Sequence, residues 1–294
     1  MSDHPSDPAQ FPRTAPPARS VSGGLYLVAT PIGNLRDITL RALDVLSAAD
    51  VVLAEDTRVT AKLLTAYGIK AKLERCDDHT SNRAAEIAIG HLKDGAVVAL
   101  VSDAGTPMVS DPGFIVARAA IAEGLPVHPI PGASSALAAL CIAGLPSDRF
   151  TFAGFLPPKS AARKTALEEL RTSRQTLVFF ESGPRLKDSL TDMAEVLGPR
   201  DAAVARELTK LYEECVRGTL PELAANPRCD APKGEIVIVI APGADEVASE
   251  ADIDTALTEA MTRLPLGEAA SEVSKALNLP RKMLYKRALE LQGK

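Results

Sequence analysis

The sequence predicts an α/β protein: two α/β domains with a cleft between them, the first with a mainly parallel sheet and the second with a mixed sheet, plus a small C-terminal helix-turn-helix-like module. Three observations predict it. Between residues 25 and 130, short apolar runs alternate with helical patterns of about ten residues, as right-handed crossovers between parallel strands require. Two strand-like runs near residues 202–217 follow one another without an intervening helix, which calls for a mixed sheet. The chain ends in helical patterns on either side of the turn Asn278-Leu279-Pro280.

The elements follow in order. Strands are expected at 25–29, 51–54, 96–101 and 126–130, with a short one within 70–75. Helices are expected at 37–48, 57–67 (closed by Gly68), 82–93 (closed near Gly95) and 114–123. Pro131-Gly132 breaks this pattern and opens the small-residue segment 133–143, so the hinge falls at 131–134 with a ligand between the domains. The second half carries strands at 150–155, 176–180, 202–206, 212–217 and 235–240, and helices at 161–172 and 185–197. The expected domains are therefore 22–131, 132–243 and a helical module at 251–294. Residues 1–21, with five prolines and almost nothing to bury, are expected to form a disordered arm. An acidic linker at 244–250 leads to the module. There, helices at 266–277 and 281–291 have helix-turn-helix spacing, with Pro280 in a first turn where its missing N–H is harmless. Leu284, Ala288 and Leu291 make one apolar face and leave Arg281, Lys282, Lys286 and Arg287 largely exposed. Such a tail serves packing or dimerisation as readily as nucleic-acid contact.

Composition narrows the class. Of 294 residues 46% are apolar and none is Trp, so the core is mainly aliphatic. No apolar run nears the roughly 18 residues that span a bilayer, and the N-terminus lacks a signal-peptide pattern. Cys76, Cys141, Cys215 and Cys229 form no CxxC pair and read as reduced thiols of a cytoplasmic protein. His4, His79, His91 and His128 show no metal-ligand spacing, and no metal is expected. The net charge of −5 argues against a protein coated by nucleic acid, although a basic cluster lies between Arg149 and Arg174 and another at the C-terminus. There is no GxGxxG, no GxxxxGK[ST], and no GxSxG around Ser134-Ser135. What remains is chemistry that needs neither metal nor protein nucleophile, the transfer of an already activated group.

Polar loops at strand ends are the candidates. In open α/β sheets, ligands sit outside the carboxyl ends of strands. The apolar run 96–101 leads into Ser102-Asp103-Ala104-Gly105-Thr106-Pro107 and Ser110-Asp111-Pro112-Gly113, whose residues are too small to block the backbone. The first strand ends in Ala29-Thr30-Pro31-Ile32-Gly33-Asn34-Leu35, where an ordinary βα turn would also suffice. Glu55-Asp56-Thr57-Arg58 follows the second strand. Helix capping explains Asp56 or Thr57 but leaves Glu55 and Arg58 over. Glu181-Ser182-Gly183-Pro184-Arg185 and Arg206-Glu207-Leu208-Thr209-Lys210 end strands of the second half in the same manner.

Together with Pro131-Gly132-Ala133-Ser134-Ser135-Ala136 and Gly154-Phe155-Leu156-Pro157, these motifs occur in one order that resembles the tetrapyrrole methylase superfamily. The resemblance is to its bacterial branch that 2′-O-methylates a cytidine of 16S ribosomal RNA. It runs from about residue 23 to 242, and the terminal helices resemble the module appended in that branch. It implies S-adenosylmethionine as methyl donor, bound between two α/β domains of a homodimer. By position, Gly105-Thr106-Pro107 stands where the superfamily has Gly-Asp-Pro, with Asp103 supplying the displaced carboxylate. Donor contacts are implied for Pro31, Ser102, Asp103, Ala104, Gly105, Thr106, Val109, Ser134, Ser135, Glu181 and Leu208. The ribose hydroxyl benefits from a proton acceptor, for which Asp56 and Glu207 come first and Asp103 third. Arg58, Arg185, Arg206 and Lys210 are expected to hold phosphates, with Lys159, Arg163 and Lys164 extending that surface to the ribosomal RNA or small subunit. The rival readings are a methyltransferase acting on a tetrapyrrole, on another small molecule or on a protein side chain, and a ligand-sensing nucleic-acid-binding protein.

Overall fold

The described residues form ten strands and eleven α-helices, most of them where the apolar periodicity puts them. The structure, a computed structural model, describes residues 20–77, 79–109, 113–243, 250–277 and 279–293. Nearly all of the expected arm and linker, together with Ser110, Asp111, Pro112 and Asn278, lies outside them. By contacts the chain divides into two compact units, one holding both sheets and the other the terminal helices.

In the larger unit the first sheet contains β1 (Gly24–Val28), β2 (Val51–Ala54), β3 (Leu73–Arg75), β4 (Val97–Val101) and β5 (Val127–Ile130). All pairs are parallel, in the order β3-β2-β4-β1-β5. Side chains alternate between its faces. Val52, Ala54, Ala99 and Val101 pack with residues of α1 (Leu40–Ala48) and α2 (Thr57–Ala66). Val51, Leu53, Val98 and Leu100 pack with α3 (Ser81–Lys93) and α4 (Phe114–Ala122). The chain winds outward from β1 through β2 to β3, then returns across the other face to β4 and β5. The reversal opens a crevice beyond the carboxyl ends of β1 and β4. Helix α1 begins at Leu40, later than its apolar period implies. The Asn34 side chain accepts from Arg36 N–H to form a separate turn, and Thr39 Oγ1 then caps Ala42 N–H at 3.1 Å.

After α5 (Ser135–Ala143), the second sheet contains β6 (Phe150–Phe155), β7 (Thr176–Ser182), β8 (Asp201–Arg206), β9 (Glu214–Thr219) and β10 (Glu235–Ile240). Its order is β6-β7-β10-β8-β9, with β6 and β7 parallel and the rest antiparallel, the mixed sheet expected. One face packs on α6 (Ser160–Glu168), α7 (Leu186–Leu197) and α8 (Leu220–Ala225). The other packs Val178, Ala203, Ala205, Val237 and Val239 against α5, and Ile32 from the loop after β1 joins this cluster. Helix α8 was not anticipated, although Thr219-Leu220-Pro221-Glu222 carries the capping-box spacing and Glu222 accepts from Thr219 N–H at 2.8 Å.

The smaller unit packs α9 (Glu250–Met261), α10 (Leu266–Leu277) and α11 (Arg281–Gln292) around Leu257, Ala269, Val273, Leu284 and Ala288. Arg287, expected to be exposed with its basic neighbours, is instead half-buried. Its guanidinium holds the Asp254 carboxylate through two bonds of 2.6 Å, because α9 brings an acid against α11. No helix among the described residues is long and apolar enough to cross a membrane.

Candidate functional site

The loops leaving β1, β2 and β4 interlock through backbone polar groups. Thr30 and Gly105 exchange both N–H···O bonds, at 2.9 and 3.0 Å, and Thr30 Oγ1 donates to Ser102 O. Gly105 occupies the left-handed region at φ 85°, which its lack of Cβ permits. Thr106 Oγ1 reaches across to Ala133 O at 3.1 Å, tying the loop to the segment before α5. Asp56 N–H donates to Asp103 Oδ1 at 3.0 Å. The loop after β8 closes the arrangement. Asn34 N–H donates to Thr209 Oγ1, and a Cβ on Gly33 would strike the Lys210 side chain at 2.4 Å. Glu207 and Thr209 both hold positive φ, at 50° and 66°, a backbone cost maintained by the surrounding contacts.

Two cavities open among these loops. The first, of about 310 Å³, is lined by Thr30, Pro31, Ile32, Gly33, Leu35, Val59, Thr60, Lys62, Leu63, Ser102, Asp103, Ala104, Lys210 and Glu235. The second, of about 350 Å³, is lined by Ile32, Ala104, Ser135, Phe155, Phe180, Glu181, Ser182, Leu208, Gly234, Glu235, Ile236 and Val237. They share Ile32, Ala104 and Glu235. The second has aliphatic and aromatic walls with a few polar groups, the make-up of a cofactor cavity. The Phe155 ring, exposed at its mouth, meets Phe180 edge-on at 5.5 Å.

The residues singled out in the sequence divide between these places. Pro31, Ser102 and Asp103 line the first cavity, Ser135, Glu181 and Leu208 the second, and Ala104 both. Gly105 and Thr106 form the loop without lining either, Ser134 caps α5 through Leu137 N–H, and Val109 lies outside both cavities. Glu181 is buried and accepts from Ser189 Oγ at 2.5 Å and Ser182 N–H at 2.8 Å, with the Arg185 guanidinium beside it.

The three carboxylates stand in different surroundings. Bonds from the Arg58 side chain and backbone hold Asp56 far below the usual carboxylate range. Burial pushes Glu207 up, but the Lys210 ammonium at 3.0 Å and Glu235 N–H outweigh it and leave Glu207 below its ordinary value. Burial raises Asp103, and the neighbouring Asp56 charge adds to that rise. Among the described residues Asp103 Oδ2 has no hydrogen-bond donor. Asp103 alone of the three lines a cavity and has a raised affinity for a proton.

The expected cations are mostly committed within the chain. Arg185 donates to Leu156 O, and Arg206 to Glu214 and Lys233 O. Lys164 pairs with Glu195, and Arg58, although exposed, pairs with Asp56. The expectation of an exposed Arg163 is corrected: it is 3% exposed, and its Nε donates to Asp192 at 2.7 Å, pinning α6 to α7. Lys159 is exposed at the start of α6. Lys210 lines the first cavity between Glu207 and Glu235. Sequence reading missed Lys62 and Val59, although Lys62 follows Arg58 at helical i, i+4 spacing. It also missed Glu235, Ile236 and Val237, which begin a strand and reach the site only through antiparallel pairing with β7 and β8. Among the described residues no group of three or more His, Cys, Asp or Glu gathers to hold a metal.

Comparison with known proteins gives a consistent result. The family described as Tetrapyrrole (Corrin/Porphyrin) Methylases matches residues 24–224, and the RsmI C-terminal HTH domain matches residues 247–292. The chain is 50% identical to "Ribosomal RNA small subunit methyltransferase I" of Mesorhizobium japonicum, covering 95% of this chain and 96% of that one. It is 45% identical to the protein of the same name from Escherichia coli O157:H7, covering 94% and 98%. Among solved structures it resembles uroporphyrin-III-C-methyltransferase of Thermus thermophilus at 27% identity with a TM-score of 0.53, covering 74% and 94%. Diphthine synthase shares the fold at 17% identity with a TM-score of 0.56, covering 74% and 89%.

Proposed function

The chain belongs to the tetrapyrrole methylase family, and on that premise we propose that it methylates the 2′-hydroxyl of a cytidine in 16S ribosomal RNA, with S-adenosylmethionine as donor. One observation carries the mechanism. A carboxylate of raised proton affinity, Asp103, lines a cavity that meets a second, donor-sized one at Ala104.

The second cavity fits the donor. Its walls of Ile32, Phe155, Phe180, Leu208 and Ile236 suit an adenine ring and the methylene groups of the methionine chain, while Ser135, Ser182 and Glu181 offer polar atoms. Gly234 is needed there, since a Cβ would lie 2.4 Å from the Glu207 carboxylate. When bound, S-adenosylmethionine supplies a methyl group already activated by its sulfonium.

The chain's own residues then have three tasks. The walls around Ala104 align the acceptor oxygen, which contributes up to ~7–11 kcal/mol in favourable cases. Asp103 Oδ2 takes the hydroxyl proton, a contribution of roughly 10²–10⁴-fold. Asp56 orients that carboxylate through its backbone N–H while its own side chain, neutralised by Arg58, is a poor base. Glu207 holds the loop after β8 against β10 and positions Lys210. The first sheet and the second act as two domains divided near Pro131. The protein works in the cytoplasm, and as a homodimer, the latter reading supported by exposed Leu211 and Tyr212, 88% and 68% accessible beside the site loop. Sedimentation is expected at twice the chain mass, and a monomer at micromolar concentration would remove the dimer.

The test is transfer of labelled methyl to 16S ribosomal RNA or small subunits from a strain lacking the enzyme, mapped by 2′-O-sensitive sequencing. Label on a single cytidine ribose is expected. No label on either substrate, with donor binding intact, refutes the reading. Filling the shared wall provides a separate check. Ala104 is exposed, so Ala104→Leu is expected to fold normally but to weaken donor binding at least tenfold, measured calorimetrically. Unchanged affinity would remove the donor from the second cavity.

A further inference from the structure

The geometry points to Lys62 as the residue that grips a phosphate flanking the acceptor ribose in the first cavity, with Leu35 and Val59 forming an apolar shelf for its base. This rests on the ribosomal RNA reading and adds to it a nucleotide subsite on α2. Three observations carry it.

The first is the balance of charge around the cavity. Lys210 is neutralised by Glu207 and Glu235, and Arg58 by Asp56. Lys62 is exposed, lines the cavity and has no carboxylate partner within 4.0 Å among the described residues. It is therefore, among the described residues, the lining cation without a carboxylate partner, and because Asp103, Glu207 and Glu235 leave the rest of the wall without net positive charge, an anion is drawn to Lys62 itself.

The second is an unusual exposure of apolar side chains. Leu35 is 48% and Val59 38% accessible, and both face the same cavity. Val59, Lys62 and Leu63 recur at helical spacing along one side of α2, so the ammonium stands at the edge of an apolar strip. Tyr67 at the end of that helix donates its hydroxyl to Leu35 O, which fixes the shelf to α2.

The third is rigidity between cation and base. Asp56 caps α2 through Arg58 N–H at 2.8 Å, and its own N–H binds Asp103 at 3.0 Å. Lys62 begins roughly 9 Å further along the helix axis at 1.5 Å per residue. The helix thus sets the spacing between the Asp103 carboxylate, bound at its cap, and the Lys62 backbone, from which the exposed side chain carries the ammonium. An apolar shelf, a proton acceptor and a lone cation match the base, the ribose hydroxyl and the phosphate of one stretch of single-stranded RNA.

The test uses the full-length protein with in vitro transcribed 16S ribosomal RNA and with small subunits. Lys62→Ala sits on an exposed helix position and is expected to fold as the wild type. KM for RNA should rise about tenfold, the worth of one charge-assisted contact, with kcat and donor affinity nearly unchanged. The dependence of log affinity on log salt should fall by roughly one phosphate contact. Lys62→Arg should recover most of the loss, and Val59→Glu should mimic it. An Ala variant with wild-type KM and salt slope overturns the inference. Because RNA affinity is read directly, the two ideas fail separately. A wild type that transfers no methyl, with affinity still lost in Lys62→Ala, refutes the methylation and retains the grip.

Discussion

Asp103→Asn is expected to lower turnover by roughly 10²–10⁴-fold while leaving donor affinity within twofold, the cost of removing a positioned base. The amide retains the shape of the side chain and still accepts from Asp56 N–H, so the loop should keep its form. The wild-type pH profile carries the same information. The active form is the carboxylate, so turnover falls as pH drops through its pKa. Burial raises that pKa, with the adjacent Asp56 charge adding to the rise, so the fall begins at higher pH than an exposed aspartate would give. Asp103→Asn should abolish this acid limb. Glu207→Gln should leave the limb in place, because that carboxylate is held below its ordinary value, whereas Asp56→Asn should keep the limb but move it to lower pH, since the Asp56 charge contributes to the rise. A profile unchanged in Asp103→Asn, or a wild-type rate, removes Asp103 as the base.

Asp192→Ala is expected to destabilise the fold by about 3–5 kcal/mol, because it leaves the buried Arg163 guanidinium without its counter-charge. Both partners are nearly inaccessible, at 3% and 6%, and Asp192 also accepts from Ser160 Oγ at 3.0 Å. The paired change Arg163→Met with Asp192→Leu should cost much less, since it removes both charges together. Denaturant midpoints at constant slope measure the difference. A single variant within ~1 kcal/mol of wild type would mean that water enters and solvates the arginine. Where Asp192→Ala is still folded, RNA affinity should be that of the wild type, since Arg163 does not reach the surface.

Much of this was legible in the amino-acid order. The strand at Val51–Ala54 and that at Glu235–Ile240 agree with their expected bounds to the residue, because a run of buried apolar residues needs no other signal. Boundaries moved where a polar side chain competed with the helix, as at Thr39. Ser102-Asp103-Ala104-Gly105-Thr106-Pro107 and the loop at Thr30 were legible as polar loops at strand ends, while their interlocking came from the pairing of β1 with β4. Glu235 and Ile236 escaped notice because they stand at the amino end of β10. Antiparallel pairing brings that end beside Ser182, Glu181 and Arg206.

The sequence by itself determined the order of elements, the loops that carry polar residues at strand ends, and the family. Those properties are set by neighbours along the chain: apolar period, caps, and glycine and proline at turns. Only the tertiary structure decided which of these carboxylates has a raised proton affinity and which cations are committed to partners within the chain. Asp103 acquires its Asp56 contact, and Arg163 its Asp192 partner, from residues 47 and 29 positions away. A side chain's charge and proton affinity follow from burial and spatial proximity, which are properties of the folded chain.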